Sequence, residues 1–359
     1  MTTPLPLPLL EVRNLRVQFP TRRGLLTAVD DISLSIAPGE VLGVVGESGA
    51  GKSLTGAAII GLLEPPGRIA SGEILLNGRR IDNLSPEEFR KIRGREIGAI
   101  FQDPLTSLNP LYTIGRQITE TILTHLDVSP AEAKKRAIDL LNEVGIPAAD
   151  KRIDHYPHQF SGGMRQRVVI SLALAAQPKL IIADEPTTAL DVSIQAQIIT
   201  LLKKLCREHG TSIMLVTHDM GVIAETADRV AVMYAGRIVE IGPVAEVIHN
   251  PQHPYTVGLM GAIPDLTKEV ERLTQIDGSM PRLNAIPSGC AFNPRCTRKV
   301  EVGSRCTTER PGLLPAGKTQ AACWLYANDG ANDGANDGAN DGANNPANHN
   351  VNAPQTVAA

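Results

Sequence analysis

Apolar and polar residues alternate through residues 9–45. The stretches L-E-V-R-N-L-R-V-Q-F and A-V-D-D-I-S-L-S-I each put apolar side chains on one face of an extended chain. P-G-E then leads into the unbroken apolar run 41–45. A helix is expected over 51–63, more strand and turn over 72–80, and helices over 113–145 and 163–176. From residue 179 strands and helices alternate: K-L-I-I-A-D, a helix at 194–209, a strand at 212–217, a helix at 220–227, and the strand R-V-A-V-M-Y. Buried apolar strands alternating with helices imply an α/β fold with a largely parallel sheet. Past residue 250 the texture turns to prolines, cysteines and short irregular pieces. From residue 327 the unit A-N-D-G repeats with nothing apolar to bury, so 327–359 reads as a disordered tail.

Length and composition refine this picture. A chain of 359 residues suggests two domains, or one with an appendage. Apolar residues make up 42%, enough for a sizeable core, but aromatics only 3%, so aliphatic side chains must fill it. The formal charge of −3 argues against a nucleic-acid partner held by bulk phosphate neutralisation. No run approaches the roughly 20 apolar residues of a membrane-spanning helix. The start, M-T-T-P-L-P-L-P-L-L, lacks a basic region and is broken by prolines, unlike a signal peptide. The expectation is a cytosolic chain whose five cysteines stay out of structural disulfides.

Chemistry enters at residues 46–53, G-E-S-G-A-G-K-S, which fit G-x-x-x-x-G-K-[ST] between an apolar strand and a helix. Gly46, Gly49 and Gly51 let the backbone curl so that N–H groups around Glu47, Ser48 and Ala50 can face phosphate oxygens. The helix N-terminus adds its dipole. Lys52 is expected to reach the β- and γ-phosphates, and Ser53 to bind Mg²⁺. About 130 residues later, L-I-I-A-D-E ends an apolar strand in two carboxylates. Asp184 is assigned to Mg²⁺ and Glu185 to the attacking water, since ligands of open α/β sheets bind at the C-terminal ends of strands.

Between these motifs lies F-S-G-G-M-R-Q-R, residues 160–167. It resembles the signature of ABC ATPases, usually L-S-G-G-Q, and the rest of that family's set follows in order over residues 9–245. The resemblance implies a P-loop cassette of residues 1–250 with a helical subdomain at about 105–175. It makes Gln102 the Q-loop glutamine and a further Mg²⁺ ligand, Asp191 the D-loop aspartate (after Ala189 and Leu190), His218 the switch histidine, and Phe19 the aromatic that stacks on adenine. It makes Lys52, Glu185 and His218 catalytic. Ser161, Gly162 and Gly163 would cap ATP held by a second cassette, so that two cassettes meet head to tail. The departures, Phe160 and Met164, leave the S-G-G core intact.

Residues 100–110, I-F-Q-D-P-L-T-S-L-N-P, and the later H-P-Y segment, His253, Pro254 and Tyr255, resemble the ATPase subunits of bacterial oligopeptide and dipeptide importers. That resemblance implies ATP-driven peptide uptake at the cytoplasmic face of the inner membrane. The partners would be two membrane-spanning permease subunits, a second ATPase subunit, and indirectly a periplasmic binding protein. Nickel import, or redox sensing, stays open as an alternative. Residues 251–326 form the importer-type extension. Within it Cys290, Cys296, Cys306 and Cys323 suggest a four-cysteine metal site. The dipeptide branch implies a [4Fe–4S] cluster there, while the spacing leaves zinc and free thiols open. Cys206, in mid-helix, reads as a packing residue.

Overall fold

The computed structural model describes residues 7–22, 24–188, 190–262 and 275–327. The A-N-D-G repeats beyond Ala327, and Ala189 of the D-loop, lie outside the described residues. Met1–Tyr326 forms one compact unit.

Among the described residues, twelve strands form two sheets. An antiparallel sheet joins β1 (Leu10–Thr21), β2 (Gly24–Ile36), β4 (Arg68–Leu76) and β5 (Arg79–Arg80) in the order β2-β1-β4-β5. The larger sheet contains β3 (Val41–Val45), β6 (Ile97–Ile100), β7 (Leu180–Asp184), β8 (Ser212–Val216), β9 (Arg229–Tyr234), β10 (Arg237–Pro243), β11 (Leu314–Ala316) and β12 (Thr319–Ala321). Its order is β11-β12-β10-β9-β3-β8-β7-β6, with β9, β3, β8, β7 and β6 parallel. Period-two alternation divides each central strand between two cores. Leu42, Val44, Ile182, Met214 and Val216 face the antiparallel sheet and the helix Lys52–Ile59. Val41, Val45, Ile181, Ala183, Ile213 and Leu215 face the helical layer on the other side. Burial on both faces explains why these strands read as continuous apolar runs.

The helix expected over 113–145 is two, Ile114–His125 and Pro130–Glu143. Pro130 cannot continue the first, and it starts the second behind the N-cap Ser129. Ile114, Ile118 and Ile122 face Ala133, Ala137 and Leu141 in the core at helical spacing. The helix expected over 51–63 stops at Ile59, ahead of Gly61 in the left-handed conformation.

β10 was not legible as a strand because Glu240 interrupts its apolar pattern. That carboxylate is fully buried and accepts the N–H groups of Gln252 and His253, at 2.9 Å each, and the Thr319 hydroxyl at 3.2 Å. The extension is therefore tied to the cassette twice: by Glu240, and by β12 pairing with β10. A third tie is Asp30 at the edge of β2. Arg16 lies at 2.9 Å, Arg237 at 2.7 Å and Arg310 of the extension at 2.6 Å. Burial works to raise the Asp30 carboxyl, but Arg237 and Arg310 outweigh it and hold it below the usual carboxylate range.

Candidate functional site

β3 ends at Val45 and the chain turns sharply. At Gly46 (φ +149°) a Cβ would stand 2.2 Å from the Met233 carbonyl oxygen, so only glycine fits. Gly49 and Gly51 are left-handed, and Ala50 is pinned through its carbonyl by the Gly236 N–H at 2.9 Å. The loop leads into the helix Lys52–Ile59. Lys52 is buried, and its Nζ donates back to the carbonyls of Gly46 (2.8 Å) and Glu47 (3.1 Å). Burial pushes its pKa down, against the pull of Glu185, Asp184 and Glu47.

Opposite the loop, the Ser53 hydroxyl donates to Asp184 at 2.9 Å, at the end of β7. Burial first, and Glu185 as a like charge, raise the Asp184 carboxyl against the opposing Ser53 bond. A cation bound there would offset both effects. Glu185 has left the strand with φ +46°, and its N–H donates to Val216 at 2.8 Å. Its Oε2 accepts from Gln102 Nε2 (3.1 Å) and the Thr188 hydroxyl (2.9 Å), and its Oε1 faces His218 Nδ1 at 3.3 Å. Ser48, Gly49, Ala50, Gly51, Lys52, Ser53, Gln102, Glu185 and His218 line one cleft of about 650 Å³. The glycine cradle, buried ammonium and hydroxyl–carboxylate pair fit a magnesium-bound nucleoside triphosphate.

The ABC transporter family matches residues 29–188, and the oligopeptide/dipeptide transporter C-terminal region matches residues 239–302. The chain is 51% identical over 296 residues to the oligopeptide transport ATP-binding protein OppD of Escherichia coli, covering 82% of this chain and 88% of that one. It is 48% identical over 316 residues to the dipeptide transport ATP-binding protein DppD of the same organism, covering 88% and 96%. The chain belongs to the ATP-binding subunits of the oligopeptide/dipeptide ABC transporters. A solved dimeric ATP-binding cassette in a post-hydrolysis state, bound to ADP and Pi, is 30% identical, with a TM-score of 0.59. The match covers 66% of this chain and 98% of that one.

Other residues that this ABC family marks are placed as follows. Phe19 lines an adjoining apolar hollow of about 320 Å³ that shares Ser53 and Leu54 with the phosphate cleft. Ser161, Gly162 and Gly163 lie outside the cleft of their own chain. Ser161 N-caps the helix Gly162–Leu174, accepting from the Met164 N–H at 3.4 Å. Asp191 is the N-cap of the helix Val192–His209. The two departures from the signature serve packing: Phe160 is buried, and Met164 packs against the core with its sulfur facing Arg152 at 3.6 Å.

The importer-type extension contributes residues that the sequence reading missed. Leu283 lines the phosphate cleft. Tyr255 and Arg295 both reach Glu47 inside the phosphate loop. The only sequence signals for them were the H-P-Y segment and an arginine beside Cys296.

All five cysteines are free thiols. Cys206 is buried among helix residues, and burial pushes its thiol up to about 12. Cys290, Cys306 and Cys323 feel the charge of other cysteines of the set, and burial is the first cause raising all four thiols; Cys290 reaches about 11. Backbone N–H groups of Phe292, Arg298 and Leu325 each donate to the cysteine two residues earlier. The donors suit a soft metal. As placed, however, no group of three or more His, Cys, Asp or Glu side chains among the described residues could hold an ion.

Proposed function

We propose that this chain is the ATP-hydrolysing subunit of a bacterial importer of dipeptides and oligopeptides, peripheral on the cytoplasmic face of the inner membrane. The observation that carries the reading is the meeting of Lys52, Ser53 and Gln102–Glu185–His218 in one cleft, with Asp184 bound to Ser53 beside it. It is supported by relatives named as oligopeptide and dipeptide transport ATP-binding proteins that align with 82% and 88% of the chain. No helix among the described residues is long and apolar enough to cross a membrane. Phe101 (45% exposed), Leu105 (61%) and Leu111 (79%), beside and after Gln102, offer apolar side chains for docking two permease subunits.

In this reading Lys52 exchanges its two loop carbonyls for the β- and γ-phosphate oxygens. Backbone N–H groups between Ser48 and Ser53 cradle the phosphates, and Phe19 takes the adenine. Ser53, Asp184 and Gln102 would hold Mg²⁺, which would supply neutralisation of phosphate charge. Glu185 orients the attacking water and accepts its proton, while Gln102, Thr188 and His218 fix the carboxylate before reaction. Ser161, Gly162 and Gly163 cap ATP on a partner cassette, with Asp191 at the shared edge. Driving such a dimer from mostly open to mostly closed takes about 5.5 kcal/mol of differential binding, which γ-phosphate contacts from both cassettes supply and hydrolysis removes.

The test is deletion in the host, complemented by wild type or Glu185→Gln, with uptake of a labelled dipeptide, a labelled pentapeptide and nickel. Loss of peptide uptake, restored by wild type alone, is expected. Loss confined to nickel would reassign the cargo, and restoration by Glu185→Gln would remove that residue from catalysis.

For the extension, the reading is a [4Fe–4S] cluster on Cys290, Cys296, Cys306 and Cys323. The backbone N–H groups of Phe292, Arg298, Lys299 and Leu325 that bond Cys290, Cys296 and Cys323 support it, since such donors accompany thiolate ligands, and the four thiols would have to draw together from their present positions to ligate. Protein purified without oxygen should contain iron and acid-labile sulfide in equal amounts and lose both in Cys296→Ser. Zinc, or no metal, in the wild type would overturn this.

A further inference from the structure

Glu47 is the second residue of the phosphate loop, and all of its polar groups are engaged. The carboxylate receives Arg295 Nη1 at 3.0 and 3.2 Å on its two oxygens. The backbone N–H donates to the Tyr255 hydroxyl at 2.9 Å, and the carbonyl accepts Lys52. Two of these anchors come from the extension, 208 and 248 positions along the chain.

Arg295 is held as tightly as it holds. Its side chain is only 8% exposed. Its Nε donates to the Asp277 carbonyl at 2.8 Å, and its guanidinium lies over the rings of Tyr234 (5.7 Å) and Phe292 (5.9 Å). Those rings also pack against Tyr255, with centroids at 4.7 and 5.4 Å. A planar, permanently charged fork fixed on several sides sets direction as well as charge. Tyr255 is buried, and its ring is clamped by the same cluster. The result is a rigid aromatic–guanidinium block bearing on one residue of a glycine-rich loop.

The loop needs such a support. Three of its residues are glycines with positive φ, the type with the largest conformational freedom to lose on ordering. The Glu47 N–H points back to Tyr255, so it is unavailable to phosphate, and Glu47 sets the loop's path instead. We infer that Arg295 and Tyr255 are positioning residues for ATP: through Glu47 they preorganise the phosphate loop, so that nucleotide affinity depends on the docked extension. The inference rests on residues 46–53 being the nucleotide site. Preorganisation acts on binding, by removing an ordering cost before the ligand arrives. It therefore belongs in affinity and KM, whereas Glu185 and His218 belong in kcat.

The experiment uses the full chain, alone for binding of a fluorescent ATP analogue and in the reconstituted transporter for KM and kcat, with thermal midpoints recorded throughout. Arg295→Met keeps the aliphatic stem, and Tyr255→Phe keeps the ring. Each is expected to weaken analogue binding and raise KM for ATP about tenfold, with kcat within about twofold. Glu47→Gln combined with Arg295→Met should cost little more than either alone, because both remove the same pair. A lower thermal midpoint with unchanged affinity and KM would reduce Arg295 to structural glue and overturn the inference. If Arg295→Met fails to fold, Tyr255→Phe, which loses a single oxygen, carries the same comparison. Lys52→Ala separates the two levels: unchanged analogue binding there would remove the nucleotide site itself. Lost binding in Lys52→Ala beside unchanged binding in Tyr255→Phe and Arg295→Met would overturn only the positioning role.

Discussion

Glu185 and Asp30 show two uses of a carboxylate in one chain. Glu185 is left-handed and is held in the cleft by Gln102, Thr188 and His218. Asp30 is ringed by three guanidinium groups and is structural. Removing it strands cations that no other contact neutralises as closely. Asp30→Asn should therefore cost about 2 kcal/mol at pH 7, measured by urea unfolding. The sign of the pH dependence follows from a folded pKa held below the unfolded value. The stabilisation is complete above the ordinary carboxylate range and is lost as pH falls through the folded pKa. The gap between wild type and variant should thus close as pH falls below the ordinary carboxylate range; a gap independent of pH would contradict it. At this scale the residues that line the cleft were legible because they lie in contiguous motifs. Arg295 was not, because its partner Glu47 is 248 positions away and nothing local marks an arginine as the mate of a particular glutamate.

Among the elements, the central strands were legible because both of their faces are buried, which writes an apolar run directly into the sequence. The strands that were missed are β6, only four residues long, and strands whose identity is settled by a neighbour. β10 carries the charge of Glu240 in mid-strand, tolerable only because the H-P-Y segment and Thr319 saturate it. β11 and β12 have three residues each, below the length at which alternation can be read. The contact between β12 and β10 is close. A Cβ on Gly242 would stand 2.8 to 3.1 Å from Thr319 atoms, its Cα included. Gly242→Val should lever the hairpin off β10 and destabilise the protein by about 2 kcal/mol, seen as a lower urea midpoint. An unchanged midpoint would mean that the hairpin is dispensable to the fold.

For the molecule as a whole, the compact unit ends at Tyr326, whose hydroxyl donates to the Gln252 carbonyl at 2.9 Å. A chain stopped after Tyr326 should match the full chain in thermal midpoint and ATP hydrolysis, and a loss of either would assign the A-N-D-G segment a part in the fold or the site. The family was legible because its motifs recur in fixed order. The dependence of cassette on extension was not, because composition changes near residue 250 while the sheet does not end there. Among the described residues the eight-stranded sheet is thus complete only after residues 319–321 pair with β10. On the ribosome this sets a schedule. β10 emerges early with β9 on one side and an unpaired edge on the other, the kind of edge that recruits foreign strands. The arginine that steadies the phosphate loop is made only shortly before the hairpin that covers that edge. A nascent cassette is therefore both sticky and poor at holding nucleotide until residues 295–321 have emerged and docked, which links the moment its edge is covered with the moment it becomes able to hold ATP.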